Sequence, residues 1–172
     1  MKRENKDVII MDVTLRNMTQ EEYPIWIDVS TKQQALDRCS ISQKHFDEEY
    51  KNLLDMLRKF LPDHQKTKGH IFLSIDTLED KNIGYVWCAE LPDLPNQSIF
   101  IMDIHILKDF RSRGIGRIAL QKVHNLLKDA GFRMVFLSVL NQNYAKKLYA
   151  SLGYVVIREN EFTSTMSISL LD

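Results

Sequence analysis

Around residue 110 the chain changes its hydrophobic period, and that change restricts it to folds that mix sheet with helix. Ahead of it, His70 to Asp76, Ile83 to Leu91 and Ser98 to Leu107 are apolar, β-branched runs of strand length. The connections between them, residues 77–82 and 92–97, carry Asp, Asn and Pro and are short enough for antiparallel hairpins. From Gly114 onward Ile115, Ala119, Val123, Leu126, Leu127 and Ala130 recur at the spacing of one helical face, and Gly131 stands where a left-handed C-terminal cap belongs. Met134 to Leu140 then reads as a buried strand and Tyr144 to Leu152 as a short helix ended by Gly153. Tyr154 to Glu159 and Thr163 to Leu171 read as closing strands.

The first third is more helical. Val8 to Leu15 reads as a strand, and Thr19-Gln20-Glu21-Glu22 as a capping box with Met18 and Tyr23 as its hydrophobic staple. The helix it opens takes Ile25, Val29 and Leu36 as one face, with Pro24 tolerated in its first turn. A second box, Ser40-Ile41-Ser42-Gln43, is expected to open a helix carrying Phe46, Tyr50, Leu53, Leu54, Leu57 and Leu61, stopped by Pro62. On that helix Asp47, Glu48 and Glu49 are taken as a solvated face. With 172 residues and neither repeat nor linker, residues 1–172 are expected to form one α/β domain with its core at about 8–170.

Charge and cysteine content remove several function classes. Lys+Arg and Asp+Glu both number 23, so the net charge is zero and a broad nucleic-acid surface is not expected. The 44% apolar content argues against disorder. No run approaches 18 apolar residues, so no membrane span is expected, and the polar start Met1 to Asp7 does not resemble a signal peptide. Cys39 and Cys88 lie far apart, and His64 and His70 lack companions at ligand spacing, so neither a disulfide framework nor a metal is expected. The expected address is the cytoplasm.

The hexapeptide Arg111-Ser112-Arg113-Gly114-Ile115-Gly116 lies between the last hairpin strand and the amphipathic helix. Its glycines let backbone approach a ligand, and the first amides of a helix lack intrahelical acceptors. With the helix dipole they suit a phosphate or pyrophosphate, and Arg111 and Arg113 add donors. It is no P-loop, because Arg117-Ile118 follows Gly116 where Lys and Ser/Thr are required. A dinucleotide fingerprint fails too, for want of the acidic ribose partner. A plain glycine-containing helix start with two solvated arginines is the alternative.

Arg111-x-x-Gly114-x-Gly116 resembles the Gln/Arg-x-x-Gly-x-Gly/Ala signature of the GNAT superfamily of acetyl-CoA-dependent N-acetyltransferases. Ala145-Lys146-Lys147-Leu148-Tyr149-Ala150-Ser151-Leu152-Gly153-Tyr154 is similar to that family's Ala-x-x-Leu-Tyr-x-x-x-Gly-Phe/Tyr ending, and Leu15 to Thr19 resembles its first strand and helix start. Two departures are Lys108, where many members carry proline, and Gln142, where the usual residue is asparagine. The resemblance implies a mixed, mostly antiparallel sheet of six to seven strands with about four helices and a splay between the fourth and fifth strands. It also implies acetyl-CoA as co-substrate, its pantetheine arm on the backbone of Ile104, His105 and Ile106. The pyrophosphate would rest on the amides of Arg111, Ser112, Arg113, Gly114, Ile115 and Gly116. Asn141, which with Asn143 flanks Gln142, is taken as the cap of the next helix and a cofactor contact.

Acetyl transfer to an amine needs a neutral nucleophile and a proton for the departing thiolate. Tyr149 matches the family's general acid, a phenol of reference pKa about 10; packing against the core is its alternative role. For the base, Asp103 is the first choice and Glu90 the second, with ordered water also open. His105 reads more simply as a satisfied histidine on a sheet face, and Cys88 as a small core residue. The acceptor is expected to be a primary amine of a small molecule, peptide or protein, and exposed sheet edges could pair two copies into a homodimer. A catalytically degenerate CoA-binding sensor or interaction module of the same fold is the alternative function.

Overall fold

Among the described residues seven strands form one sheet. The computed structural model describes residues 12–42 and 44–171. In chain order these form β1 (Val13–Asn17), α1 (Glu22–Cys39), α2 (Phe46–Phe60), β2 (His70–Thr77), β3 (Gly84–Ala89), β4 (Ser98–Ile106), α3 (Ile115–Asp129), β5 (Met134–Leu140), α4 (Ala145–Ser151), β6 (Val155–Glu159) and β7 (Thr163–Ser169). The strands lie in the order β1-β2-β3-β4-β5-β7-β6, and every neighbouring pair is antiparallel except β4 and β5, which run parallel. This is the mixed, mostly antiparallel seven-stranded sheet with four α-helices that the resemblance implies. Of the strand expected from Val8, residues 8–11 lie outside the described residues, and β1 is seen from Val13.

Each face of the sheet carries its own core. Ile115, Ala119, Leu120, Val123 and Leu127 of α3 pack with Ile99, Ile101, Val135 and Leu137 on one side. An aromatic cluster of Tyr23, Trp26, Phe72, Tyr85 and Trp87 fills the other, where α1 and α2 lie. Within it the Trp87 indole donates to His70 Nδ1 at 3.0 Å. Gly131, at φ 94°, ends α3 in the left-handed conformation its position requires.

The first capping box forms as read: the Thr19 amide donates to Glu22 Oε2 at 2.9 Å and the Glu22 amide to Thr19 Oγ1 at 3.3 Å. Three other expectations are corrected. Ile25 and Leu36 are more than half exposed, and α1 instead buries Tyr23, Trp26, Ser30, Thr31 and Ala35. The face is chosen by the aromatic cluster beneath it, and Ser30 and Thr31 disguise it as polar. The second box does not open α2: the Ser40 amide bonds Leu36 O, the Ile41 and Ser42 amides bond Arg38 O, and α2 begins at Phe46. These residues serve the end of α1 because its last carbonyls need donors; Gln43 lies outside the described residues. Glu49 is buried, not solvated, with Lys44 Nζ at 3.2 Å and Arg38 Nη1 at 3.8 Å from its carboxylate.

Candidate active site

The parallel ladder between β4 and β5 runs only from Ser98↔Met134 to Ile101↔Leu137. Beyond it the two strands continue without pairing to each other. At this point β4 also bulges against β3: Cys88 pairs with Ile101 and Trp87 with Asp103, so Met102 is the extra residue. The Leu107 amide bonds Ile83 O on the β3 side, and alternation along a strand therefore turns the amides and carbonyls of Ile106 and Ile104 toward the gap. A cleft of about 970 Å³ opens there, lined by β4 from Ile101 to Ile106, by the 111–117 segment and by Tyr149 on α4.

At the mouth of the gap the backbone is set for an anion. Ser112 lies at φ 61° and Gly114 at φ 80°, both left-handed. A Cβ at Gly114 would meet nothing within 4 Å, so glycine is required there by conformation and not by crowding. This turn leads directly into α3, whose first amides lack helical acceptors. The arginines are used otherwise than expected. Arg111 Nε donates to Ile106 O at 2.7 Å, and its Nη2 lies 3.4 Å from His105 Nε2. Arg113 turns over the Phe110 ring at 5.6 Å, and Arg117 Nη2 donates to Ser151 Oγ at 2.6 Å. With the guanidinium groups so engaged, the unpaired amides at the start of α3 are the donors this segment would offer an anion.

Asp103 and Tyr149 line the same cleft. Burial pushes the Asp103 carboxyl up to about 6, partly offset by the Ser30 hydroxyl and Trp26 indole turned toward it, while Asp37 raises it further. Trp26 Nε1 completes no hydrogen bond in this arrangement. Tyr149, 8% exposed, is pushed up to about 12 by burial, with the Asp103 charge adding to the effect. Its ring meets Tyr154 edge-on at 5.7 Å, and Tyr154 OH lies 2.8 Å from His124 Nε2. Burial and the Arg111 charge lower the His105 imidazole, consistent with a neutral ring accepting from Arg111.

Not every expected residue comes together here. Glu90 is exposed beyond the far end of β3 and does not line the cleft. Asn141 does not cap α4; Asn143 Oδ1 accepts from the Ala145 amide at 2.9 Å instead. Asn141 ties the end of β5 to the turn after β6: its Nδ2 donates to Asn160 O at 2.8 Å, and its Oδ1 accepts from Ser164 Oγ at 2.6 Å. Asn143 lines the cleft and Asn141 does not. Sequence reasoning also missed Gln33, Gln34 and Asp37, which line the cleft from α1; only the i, i+4, i+7 spacing of Ser30, Gln34 and Asp37 could have linked them to Asp103. Cys88 is buried, its thiol pushed up to about 12, as a core residue and not a nucleophile. Among the described residues no group of three or more His, Cys, Asp or Glu could hold a metal, and no helix is long and apolar enough to cross a membrane.

The sequence model of the Acetyltransferase (GNAT) family matches residues 21–154. The chain belongs to this family. As a GNAT acetyltransferase it is an acyltransferase, and the non-catalytic alternative is not favoured. It is 24% identical to the uncharacterized N-acetyltransferase YdgE of Bacillus subtilis over 147 residues, 85% of this chain and 94% of that one. The crystal structure of YycN from Bacillus subtilis superposes with a TM-score of 0.77 at 24% identity, covering 87% of this GNAT chain and 98% of the other. Spermidine N-acetyltransferase from Vibrio cholerae, in complex with CoA and spermine, gives 0.69 at 16% identity, covering 92% and 95%.

Proposed function

We propose that the cleft takes acetyl-CoA and a primary amine together and that the amine attacks the thioester directly, with Asp103 as proton acceptor and Tyr149 as proton donor. The observation that carries this reading is the placement of these two groups, with opposed proton affinities, in one cleft beside an unpaired strand and a left-handed anion turn. The residues fit the co-substrate. Ile104 offers free backbone groups to an extended arm, Ile106 its amide, and the amides of residues 111–116 suit a pyrophosphate. Ile106 O is already taken by Arg111, which fixes that guanidinium beside the cradle. Asn143 lines the cleft at the start of α4, which supports it and not Asn141 as the asparagine that meets the co-substrate.

The co-substrate supplies the activated acetyl group and a thiolate leaving group; the chain supplies position and protons. At pH 7 a carboxyl titrating at about 6 is mostly ionised yet basic enough to accept a proton from an incoming ammonium. A phenol held up to about 12 stays protonated and keeps its proton for the departing sulfur. Burial raises both groups together, which makes the carboxylate a better base while leaving the phenol protonated, and this supports the two roles. Thiol release from acetyl-CoA in the presence of a panel of amines tests the reading. Release that depends on both an amine and Tyr149 supports it, whereas CoA binding without release of thiol to any amine or peptide sinks it.

A further inference from the structure

The acceptor end of the cleft contains a charge that this chemistry leaves unused. Asp37 lies seven residues beyond Ser30 on the same face of α1, about 10 Å further along the helix axis. Its carboxylate accepts from Gln33 Nε2 at 2.9 Å and has no cationic partner among the described residues. The neighbouring Arg38 is engaged with Glu49 of α2. Asp37 and Asp103 therefore line one cavity, neither of them ion-paired among the described residues although Arg38, Arg111 and Arg117 also line it, and the Asp37 charge already acts on Asp103. Like charges so placed favour a cation between or beside them.

A second observation points the same way. The Trp26 side chain is wholly buried, and its indole N–H, directed at Asp103, has no hydrogen-bond partner. A buried donor facing Asp103 favours the ionised form of that carboxyl, the form to which a cation binds. Gln34 Nε2 donates to Ser30 Oγ at 3.1 Å, which leaves its carbonyl oxygen available to an ammonium between the two carboxylates.

We infer that the acceptors are small aliphatic diamines, the reacting nitrogen at Asp103 and the second ammonium at Asp37. The inference rests on the acetyl-transfer reading above. The roughly 10 Å between the two anchor points along α1 suits an extended diaminoalkane and is too long for a compact amino alcohol.

The test compares kcat/KM for hexamethylenediamine and cadaverine with the length-matched hexylamine and pentylamine, by thiol release from acetyl-CoA. A second partly buried ion pair should favour each diamine by at least about tenfold. Asp37→Asn should bring that ratio close to one, mainly through KM, and Asp37→Glu should restore much of it. Equal rates for diamine and monoamine in the wild-type protein overturn the inference, as does a ratio that Asp37→Asn leaves unchanged or turnover of peptide α-amines alone. Thermal stabilisation by CoA, measured on the same protein, separates the two levels. Stabilisation with turnover of monoamines or peptides removes only the diamine assignment, while neither stabilisation nor turnover removes the acetyl-transfer reading as well.

Discussion

Replacing Asp103 with asparagine should make the protein more stable and less active at once. The carboxyl has a reference value of 3.8 in the unfolded chain and titrates at about 6 in the fold. At 1.36 kcal/mol per pKa unit, ionised Asp103 lowers folding stability by about 3 kcal/mol above pH 7. Because the folded value is raised, the folded state holds the proton more tightly. The penalty is therefore absent below pH 3.8, develops between 3.8 and 6, and is constant above. Asparagine has the same shape, carries no charge, and keeps an oxygen toward Ser30 and Trp26. Asp103→Asn is thus expected to gain about 2–3 kcal/mol at pH 8 but under about 1 kcal/mol at pH 4. For a chain of this size the gain at pH 8 corresponds to a Tm about 5–10 °C higher. Urea and thermal unfolding at the two pH values measure it, while kcat/KM should lose its acid limb near pH 6 and fall by about a hundredfold or more. A variant less stable than wild type at pH 8, or one equally stabilised at both pH values, would refute desolvation of Asp103 as the cause.

Tyr149→Phe should lower kcat by about a hundredfold or more while leaving the affinity for CoA within about twofold, measured by steady-state kinetics and calorimetry; unchanged turnover would remove Tyr149 as proton donor. Gly114→Ala should lower stability by about 1–2 kcal/mol in urea unfolding, because φ 80° strains an L-residue even though its Cβ meets nothing. Gly114→Val should in addition weaken CoA binding, and normal affinity in that variant would contradict the cradle. The Arg16 guanidinium, 2.6 Å from Glu22 and 2.8 Å from Asp76, holds the Glu22 carboxyl down at about 2. Since the folded value is depressed below 4.5, this contribution is present above about pH 4.5 and is lost as pH falls toward 2. Glu22→Gln should therefore cost about 1–2 kcal/mol at pH 7, after allowance for the part-exposed Arg16, and almost nothing at pH 2. Chemical unfolding at both pH values checks it.

The second half of the chain was the more legible half, for a physical reason. Met134–Leu140 is a strand with the limits expected from its apolar run, which only the exposed Ser138 interrupts and which is of strand length. The turn at residues 111–116 was legible as the entry to α3 because Gly114 stands where the backbone turns left-handed ahead of the helix. In α1, by contrast, the buried stripe includes Ser30 and Thr31 while Ile25 and Leu36 face outward, and no local rule reveals a face selected by Trp87 and Phe72 across the sheet. The asparagines failed similarly: Asn141 and Asn143 are equivalent by cap propensity, and only the approach of residues 159–164 commits Asn141 to holding the turn after β6. Asp103 was identified as a candidate base, but Asp37, four residues short of Ile41, carried no signal until α1 was docked over β4.

The surplus residue at Met102 acts on β4 as a frameshift acts on a reading frame. Before it, odd-numbered residues look toward α3, as Ile99 and Ile101 do; after it the even-numbered ones do, as Ile104 and Ile106 show. The strand thereby keeps an unbroken aliphatic underside while two consecutive side chains, Met102 and Asp103, emerge on the upper side. A regular strand could show only one of them there. The ladder to β5 ends at Ile101, one residue earlier, so a single change of parity coincides with both the parting of the strands and the emergence of a carboxylate beside the opening. Neither event takes an isoleucine from the core.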